Sequence, residues 1–139
     1  MDEIRKQKER VVVEYFLGKL DDAPRGRLVA SESPDFILST SRKYAIGIEL
    51  TEIIFDGENK ASAEDLKTRV LEAIAKKRDK LGLYRKRRLD KYWLVITTDG
   101  QEGKELEKMA KDIRRGNSPD RFHRVFLLDL FAGKLYDLK

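Results

Sequence analysis

Apolar residues recur at three- and four-residue spacing through residues 3–20, where Val12, Val13, Phe16 and Leu20 form one stripe, the period of an amphipathic helix. Asp2 stands where an N-cap belongs, and Asp21-Asp22-Ala23-Pro24 with Gly26 ends the run. The pattern then shortens. A brief strand is predicted over 27–31. Residues 35–40 (DFILST) and 44–53 (YAIGIELTEI), rich in Ile, Leu and Phe, flank the polar turn Ser41-Arg42-Lys43 as in a β-hairpin. Asp56-Gly57-Glu58-Asn59 reads as a loop. Ser62 then caps a second helix, with Asp65 as its capping-box partner, and this helix is expected to run to about Leu81-Gly82. Residues 92–97 (YWLVIT) are unbroken apolar sequence before Thr98-Asp99-Gly100, as in a strand covered on both faces. A charged helix over 101–115 turns Leu106, Met109, Ala110 and Ile113 inward. After the loop Gly116-Asn117-Ser118-Pro119 come a strand over 125–130, the turn Ala132-Gly133-Lys134 and a short strand over 135–138. The order αβββαβαβ with a short closing strand, antiparallel at first and βαβ afterwards, predicts an α/β fold with a mixed central sheet flanked by helices on both faces.

A chain of 139 residues fits a single domain over 1–139. The absence of cysteine excludes a disulfide scaffold, thiolate chemistry and a Cys-based zinc site, and fits a cytoplasmic protein. No apolar run approaches the roughly 18 residues that cross a bilayer, and MDEIRKQKER lacks the make-up of a signal peptide. The lone His123 cannot build a His-rich metal site. The net charge of +5 favours an anionic partner. Its distribution says more: residues 76–91 hold nine Lys or Arg against two Asp.

The chemistry concentrates in Pro34-Asp35-Phe36 and in Gly47-Ile48-Glu49-Leu50-Thr51. Along the second run Ile46, Ile48 and Leu50 point one way, and Gly47, Glu49 and Thr51 the other. An acid in the middle of an apolar strand needs a partner. Two acids on paired strands can share a hard divalent cation, which takes oxygen ligands. The plainer alternative makes Asp35 a turn residue that starts a strand and puts Glu49 on a solvated face.

An Asp on one strand and an acid-x-Lys tripeptide on the next resembles the PD-(D/E)xK nuclease superfamily, with Glu49-Leu50-Thr51 as the tripeptide. The resemblance spans nearly the whole chain. It implies a restriction-endonuclease-like αβββαβ core and a Mg²⁺ (or Mn²⁺)-dependent nuclease hydrolysing nucleic acid, DNA before RNA. Asp35, Glu49 and the Leu50 carbonyl would hold the metal. The chain departs from the family in placing Thr51 where the motif lysine belongs. Thr51 can donate a hydrogen bond but supplies no charge.

The second helix offers a replacement. At about 100° per residue, Lys77 falls near the centre of the face formed by Leu66, Val70, Ala73, Ile74 and Leu81. It resembles the relocated lysine of some superfamily members; a lysine snorkelling at a helix end is the alternative. Glu9 lies on the inward stripe of the first helix, where many members carry a glutamate that joins the site through water; Glu14 points less well. Arg85, Lys86, Arg87 and Arg88 would hold the phosphate backbone. A catalytically inactive nucleic-acid-binding domain and a protein-interaction or assembly domain are the competing readings. So small a chain leaves sequence-specific recognition to a homodimer or a partner subunit.

Neutralising Arg85, Lys86, Arg87 and Arg88 together is expected to weaken nucleic-acid affinity. The slope of log K against log[salt] should fall by about one unit per lost phosphate contact. Unchanged affinity in a salt titration would make this run a solvated surface only.

Overall fold

The computed structural model describes residues 2–55, 61–81, 89–116 and 121–139. The loop over 56–59, the basic residues Arg85, Lys86, Arg87 and Arg88, and Asn117-Ser118-Pro119 lie outside them. Asp2 caps α1 (Glu3–Lys19), its Oδ1 accepting from the Ile4 and Arg5 amides at 3.1 and 3.2 Å. The strands β1 (Arg27–Ala30), β2 (Phe36–Ser39) and β3 (Ala45–Glu52) follow, and then α2 (Ala63–Arg78), opened by the Ser62–Asp65 capping box. The chain continues through β4 (Lys91–Thr98), α3 (Gly103–Gly116), β5 (Arg124–Asp129) and β6 (Lys134–Asp137).

The six strands form one sheet in chain order, β1-β2-β3-β4-β5-β6. The β1–β2, β2–β3 and β5–β6 pairs are antiparallel, whereas β3–β4 and β4–β5 are parallel. A parallel neighbour cannot be reached by a hairpin, and α2 and α3 are the two crossovers this requires. The fold is thus α/β with a mixed sheet and helices on both faces. Among the described residues no helix is long and apolar enough to cross a membrane.

Side-chain alternation divides the core in two. On one face Val13 and Phe16 of α1 pack over Phe36, Ile48, Trp93, Val95 and Phe126. Phe16 meets the Phe126 ring at 4.9 Å between centroids and Trp93 edge-on at 6.3 Å. On the other face Leu66, Val70 and Ile74 of α2 and Leu106, Met109 and Ile113 of α3 cover Leu94, Ile96, Val125 and Leu127. Burial on both sides is why β4 reads as an unbroken apolar run.

Two boundaries differ from expectation by more than one residue. α2 ends at Arg78, short of Leu81-Gly82, because the Lys80 amide bonds the Lys77 carbonyl three residues back at 3.0 Å and tightens the last turn. α3 starts at Gly103 rather than 101.

Gly47 bears most directly on the site. A Cβ built there would stand 2.8 Å from Pro34 Cγ, 2.7 Å from Leu89 Cδ1 and 3.2 Å from Tyr92 Cδ1. The buried Pro34 ring therefore takes up space that a side chain at this strand position would need. Gly47→Ala is expected to overpack this contact by about 1–3 kcal/mol and lower the melting temperature by about 3–10 °C. Calorimetry giving an unchanged melt would mean that Pro34 is free to move aside.

Candidate metal and acid site

The β2–β3 ladder stops one step before the motif. Its last pair is Phe36 with Ile48, and extending the register would set Pro34 opposite Leu50. Proline has no N–H to offer the Leu50 carbonyl. The Asp35 side chain takes over at this point, its Oδ2 accepting the Leu50 amide at 2.9 Å. On its other edge Asp35 stays tied to the sheet, its carbonyl accepting from the Ser31 amide at 2.8 Å. A carboxylate thus stands in for a missing backbone partner, and the strands fork. A strand residue aims its N–H and C=O at the same edge, so the Leu50 carbonyl faces this fork too.

Asp35 and Glu49 are cross-strand neighbours in the same register and share one face. Each carboxyl shifts the other's proton affinity. Glu49 is only 4% exposed. Burial, then the hydrogen bond with Asp35 and its charge, push the Glu49 pKa up to about 9 against the opposing pull of Lys77 and Lys80. Burial also pushes Asp35 up, but the hydrogen bonds from Glu49 and the Leu50 amide and the charges of Lys6 and Lys77 outweigh it. They hold Asp35 below its ordinary value. At neutral pH the pair therefore carries one proton, on Glu49, and one negative charge.

Two lysines close the site from opposite sides of the sheet. Lys77 Nζ on α2 lies 3.7 Å from Glu49 Oε1. Lys6 Nζ on α1 donates to the Asp35 carbonyl at 3.1 Å and to its Oδ1 at 3.4 Å. Lys6 is 6% exposed, sits 4.9 Å from the Phe36 ring centroid and lies 3.6 Å from Glu9 Oε1. Charges therefore alternate from Glu9 through Lys6 to Asp35.

Of the residues picked from sequence, Asp35, Glu49, the Leu50 backbone and Lys77 converge here. Glu9 reaches the group only through Lys6, and it also lies 3.9 Å from Arg5. Thr51 forms part of a cleft wall, and the cations facing the acids come from the helices instead. Glu14 turns outward to Arg10 at 3.0 Å. His123 is structural, its Nδ1 accepting the Tyr92 amide at 3.0 Å. Lys6 escaped notice, although it lies seven residues before Val13 and ten before Phe16, on the same helical stripe.

Beside the fork, Glu9 and Leu50 border a cleft of about 290 Å³ whose walls also include Arg5, Lys8, Thr51 and Leu130. Among the described residues no group of three or more His, Asp or Glu side chains gathers to hold a metal. The oxygens of Asp35, Glu49 and Leu50 nevertheless fit a hard dication that keeps several waters. Two desolvated carboxyls forced to share a proton gain most from such an ion. No protein-family model, curated protein or solved structure matches the chain.

Glu49 makes the metal-free protein sensitive to pH. Unfolded, it ionises near 4.5, but folded it keeps its proton to about 9. The folded state binds the extra proton across that window, so stability falls as pH rises through it, by at most about 1.4 kcal/mol per pH unit. Asp35 acts in the opposite sense, its contribution being lost as pH drops below its unfolded value of 3.8. Melts in chelator should show the alkaline decline in wild type and a flatter profile in Glu49→Gln. Equal slopes would put the retained proton on another group.

Proposed function

We propose that this chain is a Mg²⁺- or Mn²⁺-dependent phosphodiesterase acting on nucleic acid, built on a restriction-endonuclease-like core of the PD-(D/E)xK type. The observation that carries the reading is the ladder fork, where Asp35 and Glu49 stand opposite each other on one face beside a lysine from α2. The element order through β4 supports it, as does a buried glutamate set beside a half-buried aspartate, which a purely structural strand has no use for.

In this reading Asp35, Glu49 and the Leu50 carbonyl hold the cation. The cation, when bound, lowers the pKa of its water and offsets charge on the scissile phosphate. Asp35 is fixed from two directions, by the Leu50 amide and by Lys6, so its free lone pairs have a set direction. Lys77 supplies the charge that Thr51 lacks. Its ammonium, placed against Glu49, can orient the attacking water or meet the developing charge on phosphorus-bound oxygen. Lys6 is a positioning residue, since it acts through Asp35. The uncharged Thr51 favours a second reading, a domain that binds nucleic acid without cleaving it. Lys77 beside Glu49 answers that objection.

Cleavage of single-stranded and duplex DNA and RNA with Mg²⁺ and Mn²⁺ separates these readings. Asp35→Ala should abolish turnover. Lys77→Met, which keeps the packing, should lower it by about 10²–10³-fold while calorimetry shows metal binding retained. A wild-type protein that cleaves none of these substrates with either metal would end the catalytic reading.

A further inference from the structure

α1 also has an ordered flank, with Val12 where that flank meets the core stripe. Arg5, Lys8, Val12, Tyr15 and Lys19 follow one another at spacings of three and four residues and so line up along the helix. The first three border the cleft. Tyr15 is 40% exposed, with Lys19 Nζ 5.3 Å from its ring centroid. The turn between β5 and β6 stands beside this stripe. A Cβ at Gly133 (φ +67°) would strike the Tyr15 hydroxyl and come within 3.4 Å of Lys19 Nζ.

That turn is rigid, and it presents an aromatic ring to solvent. Asp129, 2% exposed, accepts through Oδ1 from the Phe131 amide at 3.0 Å and the Ala132 amide at 3.4 Å. Its carbonyl takes the Gly133 amide at 2.8 Å, and the Leu130 amide is held by the Thr98 carbonyl at 2.9 Å. Leu130 thereby becomes cleft wall, and the next residue, Phe131, projects with 82% of its surface exposed. A buried aspartate holding out an unburied phenylalanine has no value for the core.

We propose that the cleft and this stripe bind a single nucleic-acid strand, with Arg5 and Lys8 on its phosphates and bases stacked on Phe131 and Tyr15. The strand's course toward Asp35 and Glu49 rests on the nuclease reading; the binding surface does not. Alternating cations and exposed rings match what an unpaired strand offers, a charged backbone and free base faces. A duplex buries its base faces in the stack and shows only edges in its grooves.

The test is fluorescence anisotropy in chelator, with a short labelled single strand and a duplex of the same sequence. Wild type should prefer the single strand. Phe131→Ala should weaken that binding about tenfold or more with an unchanged melt, because the side chain packs on little. Arg5→Ala and Lys8→Ala should each lower the salt slope by about 0.7. If Phe131→Ala and the basic variants lose single-strand affinity while wild type cleaves nothing, the binding surface stands and the nuclease reading falls. If wild type cleaves but Phe131→Ala binds and cleaves normally, the nuclease reading stands and this surface falls. Tighter binding of the duplex would overturn the inference, as would a Phe131→Ala effect confined to self-association in light scattering.

Discussion

The hydrogen bond from the Leu50 amide to Asp35 Oδ2 is the contact on which the site depends. A β-ladder cannot simply stop, because each backbone donor near the core needs an acceptor. Pro34 ends the β2–β3 ladder by having no N–H, and Asp35 supplies the acceptor with its side chain. That substitution draws the carboxylate into the plane of the sheet. Glu49, opposite in register, then has an acid for a neighbour instead of an apolar side chain. Gly47 makes the arrangement possible by leaving the space that the Pro34 ring fills.

Once two acids are pressed together in a low-dielectric setting, the rest of the site follows from charge balance. One carboxyl stays ionised, the other keeps a proton, and two lysines approach from helices on opposite faces. They can meet the same pair only because the strands fork there. Away from a fork the sheet would keep the two faces apart. In the proposed enzyme this arrangement frees the strand from carrying the cation. Thr51 can sit in the cleft wall because Lys77 brings charge from α2 and Lys6 fixes Asp35 from α1.

α1 consequently serves three ends with three sets of residues. Val13 and Phe16 anchor it to the sheet, Lys6 and Glu9 extend the same stripe to the acids, and Arg5, Lys8 and Tyr15 line the flank. The proposed strand-binding surface and the proposed catalytic centre are thereby joined by one rigid helix. A change that tilts α1 would disturb both together.

Local spacing by itself determined the elements. The three- and four-residue stripes of the helices, the β2–β3 hairpin, the capping box at Ser62 and the doubly buried β4 are all consequences of side-chain direction along a short stretch of backbone. The same logic placed Glu49 opposite to Ile48 and Lys77 on the inner face of α2. It stopped short at Lys6, whose position on the stripe is visible but whose meaning depends on an aspartate 29 residues away. The proton on Glu49, the cleft and the exposed Phe131 beside α1 also required the tertiary structure. Desolvation, ion pairing and cavity shape arise only between elements distant in the chain, and spacing along one element carries no record of them.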